Sequence, residues 1–289
     1  MNNKLNNMLQ KFMEENDVKN IDEANEKLQE FILKYNAGAI EYENTPLDDA
    51  NELLEKAENA KSKKQAIKYA KEAYEVCPDC FDAILFQVNL EDDPIKKTKM
   101  LDEGLEHEKT RLEKEKYFQK DNIGHFYGIF ETRPYIRGLY AKAHFYAFEG
   151  KMKQARDICK EILRLNENDN TGARYLLMAT YACLEEEGDM LKLHKKYQEE
   201  TLEMLLPLYI LYFKRDNQKR AQMYLDKVNK ANPNFVKFFK GTMKANPNVT
   251  PGYYSVGDSS EVMMYLEQYG FLLASVPTIS EYVIKNSKK

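Results

Sequence analysis

The sequence predicts an all-α fold in which antiparallel helix pairs stack into a right-handed superhelical solenoid with capping helices at its ends. Three observations carry that expectation. Small or apolar residues recur at spacings of four and three, with a helix stop five positions later: Ala66, Ala70, Ala73 and Pro78, then Ala221, Leu225, Val228 and Pro233. Ala155, Cys159 and Ile162 repeat the pattern with Glu167 at the stop. Small residues at such positions let paired helices cross closely. Apolar stripes of helical period, separated by short turn clusters, account for most of the chain. The 289 residues, 43% hydrophobic, are enough to bury a sizeable core.

Taken in order, residues 3–16 and 21–35 carry helical stripes through Leu5, Met8 and Phe12, then Ile21, Ala24, Leu28, Phe31 and Ile32. Asn36-Ala37-Gly38 is a helix-ending signal. Pro46 opens a helix with Leu47, Ala50, Leu53, Leu54 and Ala57 on one face, the first of a pair whose second holds Ala66, Ala70 and Ala73. The next pair begins at Phe81 and continues after Asp92-Asp93-Pro94 into a charged helix reaching about residue 117. Between 118 and 134 the periodicity lapses, and Gly124, Gly128 and Pro134 interrupt a run of aromatics. Pairs follow at 135–149 with 152–165, hinged at Gly150, and at 171–184 with 189–197, started by the capping cluster Asn168-Asp169-Asn170. The last is 202–213 with 218–231. Pro247, Pro251, Gly252 and Gly257 then mark a loop before short helices. This organisation gives N-terminal capping helices over 1–44, repeats over 45–246, and a C-terminal loop with capping helices over 247–289. A unit of ~34 residues with this second-helix spacing is of the tetratricopeptide (TPR) type, and stacks of such units present concave binding surfaces.

The charge balance bounds function. Lys+Arg 43 against Asp+Glu 47 gives a net charge of -4, spread in alternating signs along helix faces. No basic field favours nucleic acid. The longest apolar run, 205–211, is far below the ~20 residues that span a bilayer, and the Asn-rich N-terminus does not read as a signal peptide. A soluble cytoplasmic protein with no membrane partner is expected. Four cysteines in such a chain are expected to be reduced thiols.

Two segments are more specific than the repeat. Residues 125–137 read HFYGIFETRPYIR and residues 165–175 read LNENDNTGARY. They resemble a family of bacterial tetratricopeptide-repeat proteins related to the eukaryotic suppressor-of-tumorigenicity-seven proteins, whose pattern is approximately GHFWGxxETRPYMRAR followed by LNPNDNQGxRY. The resemblance extends from about Thr45 to the C-terminus and includes Pro78-Asp79-Cys80-Phe81-Asp82-Ala83, Asn232-Pro233 and the stretch Gly252-Tyr253-Tyr254-Ser255-Val256-Gly257-Asp258. Departures are Tyr127 for Trp, Ile136 for Met, Leu139 for the second Arg, Glu167 for Pro and Thr171 for Gln. The resemblance implies the helical-repeat fold and no enzymatic activity, and leaves the partner open.

Candidate chemistry is sparse. Cys77-Pro78-Asp79-Cys80 has the spacing of a redox pair, but no strand pattern precedes it and it falls in an inter-repeat turn, where buried packing cysteines are commoner. A zinc site needs four ligands and only two lie close, so no metal is expected. His125, Glu131, Arg133 and Arg137, joined by Arg174 from the following pair, form a second constellation. The arginines can grip a carboxylate or phosphate in bidentate fashion, or Glu131, Arg133, Asp169 and Arg174 can form a salt-bridge network that fixes the angle between repeats. A proline disfavours helical backbone in the residue before it, so Arg133, which precedes Pro134, is expected in extended backbone at the helix entry. Tyr140 lies one residue beyond Leu139, outside the packing stripe, and is the best surface candidate among the aromatics. The four histidines have no nucleophile motif beside them.

The reading expected from these residues is a non-enzymatic scaffold or adaptor, without cofactor, that binds a protein or peptide segment in its concave groove, with Arg133, Arg137 and Arg174 anchoring an acidic group. The alternatives are a peptide- or small-ligand-sensing regulator acting through a partner, and a thiol-redox protein using Cys77 and Cys80. A monomer and a homodimer through Leu5, Met8 and Phe12 both remain open.

Overall fold

The structure, a computed structural model, describes residues 3–18, 20–40, 42–250 and 253–287. Pro251 and Gly252, assigned above to the loop before the last helices, lie outside the described residues. Among the described residues the chain is all-α, 71% helix with fifteen α-helices and no strand. None of these helices is long and apolar enough to cross a membrane. The chain forms two compact units, Met1–Thr110 and Arg111–Lys289.

The first unit contains α1 (Asn3–Glu15), α2 (Ile21–Asn36), α3 (Pro46–Glu58), α4 (Lys63–Val76), α5 (Phe81–Leu90) and most of α6 (Pro94–Lys114), which runs on into the second unit. Thr45 opens α3 with a capping box: its hydroxyl accepts from the Asp48 amide at 3.2 Å while the Asp48 carboxylate accepts from the Thr45 amide at 2.8 Å. Ala50 and Leu54 of α3 pack on Ala70 and Ala73 of α4, with Cys80 and Ala83 completing the cluster. Met8 of α1 is buried and the Phe12 ring lies 5.5 Å from that of Phe31, so the apolar stripe of the first helix packs on α2. Gly104 lets α6 approach α5: a Cβ there would stand 2.7 Å from the Phe81 ring.

In the second unit an irregular aromatic segment leads through a short 3-10 turn, Phe130–Thr132, into α7 (Arg133–Phe148). There follow α8 (Met152–Leu165), α9 (Ala173–Leu184), α10 (Glu187–Tyr197), α11 (Leu202–Lys214), α12 (Gln218–Ala231), α13 (Asn234–Phe239), α14 (Ser259–Ala274) and α15 (Ile279–Asn286). Helix α11 is buried without interruption from Leu202 to Tyr212, packed by α9, α12 and α14, which is why its sequence over that span is apolar apart from Glu203.

The recurring spacing has a structural counterpart. Helices α4, α8 and α12 are each 14 residues long. In each, the amide of the first small residue (Ala66, Ala155, Ala221) donates to the carbonyl of the residue just before the helix (Ser62, Lys151, Asn217). The residue after the helix (Cys77, Asn166, Asn232) leaves the helical region with φ of -137°, -139° and -148°, and its amide closes on Ala73, Ile162 and Val228. The three inner positions are buried in every copy, whereas Pro78, Glu167 and Pro233 are exposed in the turns beyond.

Several boundaries differ from expectation. Helix α6 stops at Lys114 rather than near 117. Arg133, expected in extended backbone, is helical at φ -57° and ψ -43°. The usual bias before proline is overridden because its amide is tied to the Phe130 carbonyl and because Thr132, fully buried, bonds the Phe126 and Ile129 carbonyls. Helix α9 begins at Ala173, not 171, because Asp169 accepts from the amides of Ala173 at 2.7 Å and Arg174 at 3.1 Å and so sets the first turn.

Candidate functional site

The two segments that carry the family resemblance meet in the second unit. His125 pairs with Asn166 in an isolated β-bridge, the Phe126 amide donates to Leu165 at 3.0 Å, and the Glu167 amide donates to Gly124 at 2.9 Å. Gly124 has φ +95°, a backbone conformation that side-chain-bearing residues rarely adopt, and a Cβ there would crowd the Glu167 side chain at 3.1 Å. This clasp fixes the start of the loop 166–172, whose next residues build a cleft.

The cleft, about 290 Å³, is bounded by that loop, by α7, α9, α11 and α14, and by the segment before α14. Asp169, Glu203 and Tyr269 line it and are all buried. Tyr140 and Tyr254 form walls, and Asn170 and Gln268 are exposed at the rim. Arg174 also lines it, but its charge is committed. Its guanidinium is 2.8 Å from Asp169 and 3.2 Å from Glu199, and it lies 4.1 Å from the Tyr175 ring centroid. Burial opposes the Arg174 charge, but Asp169, Tyr175 and Glu199 outweigh it and hold the guanidinium above its ordinary value. Burial pushes the Asp169 carboxyl up, while Arg174 and the two amides pull it down.

Glu203 is the unusual group. It is 4% exposed, inside the apolar run of α11, and among the described residues no lysine or arginine forms an ion pair with it. Burial raises its carboxyl, and the nearby Glu261 charge adds to the effect; the Thr201 hydroxyl and its own amide act the other way. Glu261 is itself held by the Asn232 side-chain amide and the Gly257 amide, each at 2.7 Å. Pro207, four residues after Glu203 and inside α11, has no N–H to give to the Glu203 carbonyl.

The aromatic wall is tightly coupled. The Tyr140 and Tyr269 side chains interact through their hydroxyls, burial pushes Tyr140 up to about 12, and Tyr269 is raised further for the same reason. His144, one turn from Tyr140, packs its ring 4.6 Å from Tyr140 and 5.8 Å from Tyr269, and burial lowers it to about 4.

The constellation expected from sequence is thus divided. Tyr140 and Arg174 reach the cleft, whereas Arg133 and Arg137 do not line it. Arg133 donates to the Tyr127 carbonyl at 2.6 Å and covers the Phe130 ring at 4.1 Å. Glu131 is half-buried in the 3-10 turn, where its carbonyl accepts from Arg111 at 3.2 Å, and the His125 side chain is exposed. The salt-bridge network expected from Glu131, Arg133, Asp169 and Arg174 is instead Asp169–Arg174–Glu199. Tyr140 is corrected from a surface residue to a half-buried wall, because α14 packs over α7 and brings Tyr269 onto it.

Cys77 and Cys80 flank the turn between α4 and α5 in the first unit. Burial pushes the Cys80 thiol up to about 12, opposite to the shift a nucleophilic thiol needs. No group of three or more His, Cys, Asp and Glu among the described residues is placed to hold a metal ion. Glu203, Gln268 and Tyr269 are not singled out by sequence spacing, and Tyr254 enters only within the stretch 252–258; the remaining trace is the lone acid at 203 within the run 202–213. No family model and no curated protein matches the chain.

Proposed function

We propose that the chain is a TPR-like helical-repeat protein of the family it resembles, that it acts by binding rather than by catalysis, and that the cleft in its second unit receives a segment of a protein or peptide partner. The repeated 14-residue helix with one hydrogen-bonding register supports the repeat assignment. The observation that carries the function is the cleft itself, which joins buried carboxylates, tyrosine walls and an amide rim. Tyrosines give contact area and a hydrogen bond at low conformational cost, and exposed amides suit backbone recognition. Raised thiols at Cys80 and Cys183 favour the neutral form and support recognition over nucleophilic chemistry.

The test is a random-peptide display library panned against the wild-type protein and against Tyr254→Ala. Tyr254 is 44% exposed, so its truncation leaves the core in place. Enrichment of a sequence class on wild type and its loss on the variant is expected. A library that gives the same peptides on both proteins, or none on wild type, overturns the assignment.

A further inference from the structure

We infer that the cleft takes one cationic side chain, a lysine or arginine of the bound polypeptide, with its charge against the Glu203 carboxylate and its alkyl stem between the tyrosines. This rests on the polypeptide-binding reading above and names what that cleft selects.

Four observations point the same way. Glu203 is a buried carboxylate lining the cleft, and the groups that favour its charge are the Thr201 hydroxyl and its own amide, with no cation among them. A buried charge is retained at a cost unless it is paired, so a cation arriving from outside gains what the fold withholds. Arg174 does not cancel it, because that guanidinium already faces two carboxylates, Asp169 and Glu199. With Glu203 and the nearby Glu261 added, the local balance is four carboxylates to one guanidinium, and an incoming carboxylate or phosphate meets net repulsion. The rings of Tyr140, Tyr254 and Tyr269 border the same space, and aromatic faces attract ammonium and guanidinium groups. Finally, about 290 Å³ corresponds to roughly ten waters, the size of a single long side chain and not of a folded segment.

The experiment titrates the full chain by calorimetry with Nα-acetyl-lysine methylamide and its arginine, norleucine and glutamate counterparts, and with cadaverine as a free diamine. Wild type is expected to bind the lysine or arginine derivative roughly tenfold or more tightly than norleucine, and to reject glutamate. Glu203→Gln is expected to remove that preference while norleucine binding is unchanged. Tyr254→Ala, at an exposed wall of the same cleft, is expected to weaken all cationic ligands and gives a second variant that leaves the buried carboxylate in place. Equal binding of lysine and norleucine, preference for glutamate, no binding of either cationic derivative, or an unchanged preference in folded Glu203→Gln each overturns the inference. Cadaverine binding more tightly than the blocked amino acids overturns the polypeptide source. Peptides enriched in the display experiment without a fixed lysine or arginine leave the polypeptide-binding reading standing and sink the cation assignment alone.

Discussion

His144 makes the aromatic wall of the cleft sensitive to acid, and the size of the effect follows from its burial. Its imidazole sits between the rings of Tyr140 and Tyr269, and desolvation alone lowers it from 6.5 to about 4. The folded-state value lies below the unfolded one, so folding favours the neutral ring. That contribution is complete above 6.5 and is lost as the pH falls toward 4. The full difference corresponds to about 3 kcal/mol, and about 2 kcal/mol of it is gone by pH ~5. Replacing His144 by Phe keeps an aromatic ring and removes the titration. Urea unfolding followed by helical circular dichroism, at pH ~7.5 and ~5, is expected to show wild type losing about 2 kcal/mol more than His144→Phe between the two conditions. All other titrating groups are common to both proteins and cancel in the comparison. The imidazole proton resonance of His144 is expected to titrate near 4 in the folded protein. Parallel stability curves, or a folded-state midpoint near 6.5, refute the reasoning.

Other perturbations test other parts of the structure. Glu203→Gln is expected to stabilise the protein at neutral pH, by about 1 kcal/mol, with the gain vanishing below the ordinary 4.5 of the carboxyl. The sign follows from a raised folded value: wild type gains stability as the acid is protonated, so thermal melts of the two proteins converge at low pH. Arg174→Met strands Asp169, which is 3% exposed, and is expected to cost about 3 kcal/mol by denaturant unfolding. Asp169→Asn in the same background should recover part of that loss. Gly104→Ala drives a methyl to 2.7 Å from Phe81 and is expected to destabilise by about 1–3 kcal/mol, read as a lower Tm. Native-state alkylation of Cys80 is expected to be at least about a hundredfold slower than in urea, measured by mass spectrometry of labelled peptides.

What the sequence discloses and what it does not divide along physical lines. Helix pairing is readable because Ala66, Ala155 and Ala221 sit where close packing tolerates little else, and helical period reports burial directly. The limits of α8 and α12 match expectation for the same reason. The backbone of Arg133 escapes the reading because the proline rule is local, whereas the anchoring of Thr132 to Phe126 and Ile129 is not. The cleft is only half legible. Arg174 and Tyr140 can be singled out by residue type, but their being joined with Glu203 and Tyr269 depends on α11 and α14 packing onto α7 and α9, and spacing along the chain does not encode that. An acid in an apolar run is the available hint, and its meaning depends on what stands opposite it.

The site's location follows from how the repeated helix ends. After α4 the turn to the next helix is residues 77–80, after α12 it is 232–233, and after α8 it is 166–172. All three helices are followed by a residue of similar backbone angles whose amide closes on the helix, so the divergence begins in the turn and not in the helix. The longest of the three turns bends through Asp169 at φ +48° and Gly172 at φ +72°, the left-handed region that glycine adopts readily and aspartate more easily than most residues. Those two residues lift Asn170 to the rim and turn the Asp169 carboxylate inward, where it caps α9 and pairs with Arg174. In the second unit the lengthened turn after α8 thus places a polar cleft beside the apolar core that α8 and α12 both enter. Shortening 166–172 to the length of 77–80 would therefore remove Asp169 and Asn170 together, leaving Glu203 and Gln268 on their own helices and the buried positions of α8 unchanged.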